Sequence, residues 1–152
     1  MALGDLYRGE DAAALARIQR ATKGGALEAV VHAMQAHPQV VSVQERGCLV
    51  LGNMCWGTDA AGSARRQRAV VAGVIKAVVQ AMQAHRQVAS VQEWGCAALC
   101  SMCWGTDATA LARKQRTVEA GGRGAAADAT QAHTGDAEMQ RLGQKVVNLI
   151  HE

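Results

Sequence analysis

Between residues 59 and 106, apolar positions recur at helical spacing in successive stretches. In VIKAVVQAMQAH, starting at Val74, residues Val74, Ile75, Val78, Val79 and Met82 fall on one stripe by the i, i+4, i+8 rule, which predicts a helix with a buried face. The stretch before it, DAAGSARRQRAVVAG, opens at Asp59, a residue suited to cap a helix, and closes near Gly73. In the stretch after it, Ser90 and Glu93 of SVQE have capping-box spacing. That third helix is expected to run to CWG, where Gly105 can take the left-handed conformation that ends a helix. Ser42, Glu45 and Gly57 give the same signals 48 residues earlier.

That interval is an internal repeat. MQAHPQVVSVQERGC, from Met34, returns as MQAHRQVASVQEWGC, from Met82. Without gaps, residues 11–58 and 59–106 share 31 of 48 positions, and 59–104 and 107–152 share 17 of 46. The domain is therefore divided into repeats 11–58, 59–106 and 107–152 after an N-terminal extension, 1–10. A unit of three helices cannot bury its apolar stripes alone, so the copies are expected to stack into an all-α superhelical solenoid. In copy three the second-helix stripe reads Gly122, Arg123, Ala126, Ala127 and Thr130. Large side chains are missing there, so this copy is expected to fray and leave Val146, Val147, Leu149 and Ile150 poorly covered.

GALEAVVHAMQAHPQVVSVQERGCLVLGNMC resembles the second and third helices of an armadillo repeat: a Gly-rich start, an apolar helix, a short turn, then a helix with V-Q-x-x-A and A-L-x-N-L. The resemblance extends over nearly the whole chain and is similar in flavour to short armadillo arrays of algae and other protists. It implies a right-handed α-solenoid of three armadillo-like repeats. It further implies a non-catalytic scaffold that binds a peptide or partner domain on the concave face lined by third helices. The core stripe of the first of these helices is read as Val43, Gly47, Val50, Leu51 and Met54. The face is then assigned to Glu45, Arg46, Leu49 and Asn53 in copy one and to Glu93, Trp94, Ala97 and Ser101 in copy two. Lys145 and Leu149 complete it in copy three. In peptide-binding armadillo proteins an Asn late in the third helix holds the peptide backbone, often beside a Trp one turn earlier. The Asn position here holds Asn53, Ser101 and Leu149, and the Trp position Leu49, Ala97 and Lys145. A general protein contact is therefore implied rather than recognition of basic signal peptides.

Trp94 has Arg46 and Leu142 as counterparts, so the repeat does not require an aromatic there; it reads as an interface anchor or as a Trp lying over an adjacent helix. Trp56 and Trp104 recur beside the Gly and are expected to pack between helices. Cys96, Cys100 and Cys103 share one face and could offer thiolates to zinc. Structural zinc sites take their ligands from short loops, however, and cysteine packs readily as a small apolar residue. Core packing is expected, with no metal and no cofactor. His37, His85 and His133 recur at second-helix ends as expected C-terminal caps. Gly121–Gly124 lacks the strand and the Lys-Ser/Thr ending of a phosphate loop. No nucleophile, base and orienting group share a site, so no enzymatic activity is predicted.

Composition and charge narrow the picture further. The 152 residues contain no Phe and 3% aromatics, so the interior must be built from Ala, Val, Leu, Met and Cys, which favours helix on helix. The net charge of +3 does not by itself imply nucleic acid. Basic residues do recur on first helices: Arg17 and Arg20, then Arg65, Arg66 and Arg68, then Arg113, Lys114 and Arg116. They could form a ridge meeting acidic protein, phosphate or nucleic acid, but no aromatic residues are interleaved for stacking, so a solvated outer face is favoured. No apolar run has the roughly 18 residues of a membrane span, and the start MALGDLYRGED is unlike a signal peptide. With five cysteines in helical stretches, an intracellular, reducing compartment is expected, the cytoplasm first; an organelle would need a targeting segment removed ahead of this numbering. The expected partner is another protein or a larger assembly in which the chain is a subunit.

Overall fold

The computed structural model describes residues 12–151; the extension 1–10, Asp11 and Glu152 lie outside the described residues. Among the described residues the chain forms nine α-helices and no strand. The first three are α1 (Ala12–Lys23), α2 (Ala26–Ala36) and α3 (Val41–Cys55), followed by α4 (Ala60–Ala72), α5 (Val74–Ala84) and α6 (Ala89–Met102). The last three are α7 (Ala108–Glu119), α8 (Gly122–Ala132) and α9 (Ala137–His151). Helices α1, α4 and α7 begin at 12, 60 and 108, and α2, α5 and α8 at 26, 74 and 122, so the period of the sequence is also the period of the helix boundaries.

Local chemistry explains most of those boundaries. Asp59 accepts a hydrogen bond from the Gly62 amide and Asp107 one from the Ala110 amide, each at 2.8 Å, starting α4 and α7. Gly25, Gly73 and Gly121 have φ of 88°, 85° and 90°, a left-handed turn that separates first from second helices and would strain any residue with a Cβ. His37, His85 and His133 follow the second helices, each donating its backbone N–H to the carbonyl four residues back. The third helices depart from expectation at both ends. Ser42 and Ser90 lie inside α3 and α6, whose N-caps are Val40 and Val88 without side-chain capping. The Ser90 hydroxyl donates instead to Glu45 Oε2 at 3.0 Å, a bond between two helices rather than within one. Helices α3 and α6 stop at Cys55 and Met102, before Gly57 and Gly105, because arginines from the following helices take up their final carbonyls.

The core is aliphatic. Val74, Ile75, Val78, Val79 and Met82 are all buried, as their spacing predicts, each worth about 1.5–3 kcal/mol of transfer from water. Helix α6 lies between α3 and α9 and is covered so completely that every residue from Gly95 to Cys103 is buried. Close approach depends on missing side chains. A Cβ on Gly95 would lie 2.5 Å from Met82 Cγ, and one on Gly52 would lie 3.3 Å from Ala98 Cα. Val50 was expected in the core but is 39% exposed: its counterpart Ala98 is covered by α3, whereas no described helix covers Val50.

Copy three is better packed than its sequence predicts. Helix α8 forms and buries Gly122, Ala125, Ala126 and Ala129, and α9 buries Met139, Leu142, Val146 and Ile150. Val146 and Ile150 are therefore covered, while Val147 and Leu149 are half-buried against the core. With Thr130 where the other copies have Met, and Gly143 facing it, α9 settles directly onto α8 and recovers the contact that larger side chains would otherwise make.

Candidate functional site

Three polar connectors recur and tie the helices together. Buried Gln44 and Gln92 each donate through Nε2 to two carbonyls at a second-helix end, those of Met34 and His37 and those of Met82 and His85, at 2.8–3.0 Å. Gln140 does the same to Thr130 and His133. The imidazoles of His85 and His133 reach back one unit, Nε2 to the carbonyls of Pro38 and Arg86 at 2.8 and 3.0 Å. Arginine supplies the third connector. Arg65 donates to the carbonyls of Met54 and Trp56 and to Gln19 Oε1, and Arg113 to those of Met102 and Trp104 and to Gln67 Oε1.

This overturns the basic ridge. Arg65 and Arg113 are 3% and 2% exposed, and Arg66 and Lys114 are also buried. A guanidinium presents several donors in a fixed fork, and the carbonyls ending the preceding helix are the acceptors within reach. Of the remaining ridge residues, Arg68 is paired with Glu28 at 3.0 Å, and Arg17, Arg20 and Arg116 are exposed.

The third-helix residues divide. Glu45 is half-buried and tied to α6 through Ser90, while Arg46 is exposed. Leu49, Asn53, Lys145 and Leu149 are half-buried, whereas Ala97 and Ser101 are buried and present nothing to a partner. They are small side chains on the central helix, overtopped by neighbours on both sides; Ser101 Oγ donates to its own helix at Ala97 O. Glu93 hydrogen-bonds Asp136 at the start of α9. That bond, then burial, then the charges of Asp136 and Glu138 push its pKa up to about 7, while the same bond, followed by the Met139 amide, holds Asp136 down. Trp94 is half-buried and packs against the core, between an exposed counterpart, Arg46, and a buried one, Leu142.

Other sequence candidates resolve as packing. The rings of Trp56 and Trp104 lie 6.0 Å apart at 52°, a tilted pair joining copies one and two. All five cysteines are free and buried, and burial pushes the thiols of Cys48, Cys55 and Cys100 up to about 12. Among the described residues no group of His, Cys, Asp and Glu is arranged to hold a metal, and no helix is long and apolar enough to cross a membrane.

A surface that sequence reasoning missed lies at the N-terminal end. A groove of about 680 Å³ between α1 and α3 is lined by Leu15, Arg17, Ile18, Val50, Met54 and Trp56, among others, and Leu15 and Val50 are exposed. Its signal was present as Val50 standing where copy two has Ala98. The connectors were missed as well, although Arg17/65/113, Gln44/92/140 and His37/85/133 all persist into the diverged third copy. In comparisons with protein-family models, curated proteins and solved structures, the chain matches none.

Proposed function

We propose that the chain is a non-catalytic protein-interaction scaffold, a right-handed solenoid of three armadillo-like units that binds a partner protein on the face shared by α3, α6 and α9. The observation that carries this reading is the side-by-side packing of the three third helices, with α6 in the middle. Helix α6 packs against both neighbours, Glu45 bonds to Ser90 across one seam and Glu93 to Asp136 across the other. Leu49, Asn53, Lys145 and Leu149 remain partly open on these helices. With Arg65 and Arg113 turned inward, a nucleic-acid ridge is not carried forward.

The test is affinity capture with the intact chain, followed by titration of the captured partner against variants. Trp94→Ala is expected to weaken binding by about 2 kcal/mol, the scale of an interface hot spot. Because Trp94 also packs inward, Leu49→Asp is run beside it, and circular dichroism checks that both variants are folded. Unchanged affinity in both would move the interface off this face. A second reading, a subunit held permanently in a larger assembly, is favoured by the exposed apolar residues Leu15, Val40, Val41 and Val50 near the N-terminal end.

A further inference from the structure

We propose that the groove between α1 and α3 is the seat of residues 1–10 of this same chain. Slid by 48, MALGDLYRGED falls on LVLGNMCWGTD, residues 49–59. Leu3, Gly4, Gly9 and Asp11 coincide with Leu51, Gly52, Gly57 and Asp59, and Leu6 stands where Met54 stands. Residues 49–55 form the second half of α3, and that half fills the equivalent position one unit further on. There a Cβ built on Gly52 would lie 3.5 Å from Ala98 Cβ, and Ala98 is fully buried. Val50, the counterpart of Ala98, is the uncovered version of the same position, and Gly4 is the counterpart of Gly52.

Arg17 supplies an independent observation. Its counterparts Arg65 and Arg113 are buried, each holding two carbonyls at the end of the preceding third helix, from Met54 and Trp56 and from Met102 and Trp104. The residues standing 48 positions before Met54 and Trp56 are Leu6 and Arg8. Arg17 lines the groove and is exposed. A guanidinium beside an apolar groove fits a helix's C-terminal end, whose free carbonyls carry partial negative charge. The reach is short: Gly9–Asp11 corresponds to Gly57–Asp59, the link that joins α3 to α4. This inference rests on the stacked-unit part of the proposed function and not on its binding face.

The test is a cross-link in the full-length chain. Gly4→Cys with Val50→Cys copies the 52–98 pair, whose 3.5 Å Cβ separation suits a disulfide, and the five native thiols are buried. Under a mild glutathione couple an intramolecular disulfide is expected to close, and Leu3→Asp with Leu6→Asp in the same background should slow it about tenfold by lowering the local concentration of the tether. A disulfide between two chains would overturn the proposal in favour of a second copy as occupant. Closure no faster than for Gly4→Cys with Val71→Cys, at a position 89% exposed, or a rate indifferent to the aspartates, would overturn it outright. Loss of the Trp94 effect on partner binding would leave this result untouched.

Discussion

Arg113→Ala should be among the most damaging single changes in the chain. Arg113 is fully inside, with Nε 2.6 Å from Met102 O, Nη2 2.9 Å from Trp104 O and Nη1 3.1 Å from Gln67 Oε1. Truncation leaves the Met102 carbonyl buried without this donor, at a cost of about 2 kcal/mol, whereas the carbonyl of half-open Trp104 can rehydrate. The lost methylenes add about 2 kcal/mol of packing, and release of a guanidinium whose burial already lowers its pKa returns about 1 kcal/mol. The net loss is about 3 kcal/mol, or roughly 10 °C in Tm for a chain of this size. Urea unfolding followed by circular dichroism measures it, with exposed Arg116→Ala as the control, expected within about 0.5 kcal/mol of wild type. Arg113→Lys should recover less than about half, because one ammonium cannot span two carbonyls and Gln67 with the same fork. An Arg113→Ala loss equal to that of Arg116→Ala would refute the view that this arginine closes the end of α6.

Stability should also depend on the carboxyl pair. Glu93, raised to about 7 in the fold from its ordinary 4.5, contributes stability that is complete below the unfolded value and is lost as pH rises through the folded one; Asp136, held down, acts in the opposite sense at lower pH. Glu93→Gln keeps a donor for Asp136, so its urea midpoint should gain on wild type between about pH 5 and about pH 8; a constant difference would show that the fold does not raise the Glu93 pKa. The five thiols should resist an aromatic disulfide reagent at about pH 8 until urea unfolds the chain, since they are buried and three have pKa values near 12; prompt stoichiometric labelling of folded protein would contradict their burial. Hydrogen exchange should find α9 protected through Met139, Leu142, Val146 and Ile150 even in the free chain, against the fraying that copy three's sequence suggests; fast exchange throughout 121–151 would restore that expectation and strengthen the assembly-subunit reading.

Local sequence signals are enough to place the helices and to say which face of the second helices is inside. Burial periodicity, Asp caps and left-handed glycines are local properties, and Val74, Ile75, Val78, Val79 and Met82 announce their own orientation. It misplaced residues whose direction depends on a neighbour one unit away. Arg17, Arg65 and Arg113 are the same residue at the same register, yet two are buried and one is exposed, because among the described residues helix-end carbonyls stand opposite Arg65 and Arg113 alone. Val50 and Ala98 differ in exposure for the same reason, since α3 covers one and no described helix covers the other. Ala97 and Ser101 keep the register of a binding face, but being short on a central helix they lie beneath their neighbours. Periodicity reports one helix against an averaged environment. Which apolar and charged groups stay open is settled by the donors and acceptors that the next unit brings into hydrogen-bonding distance.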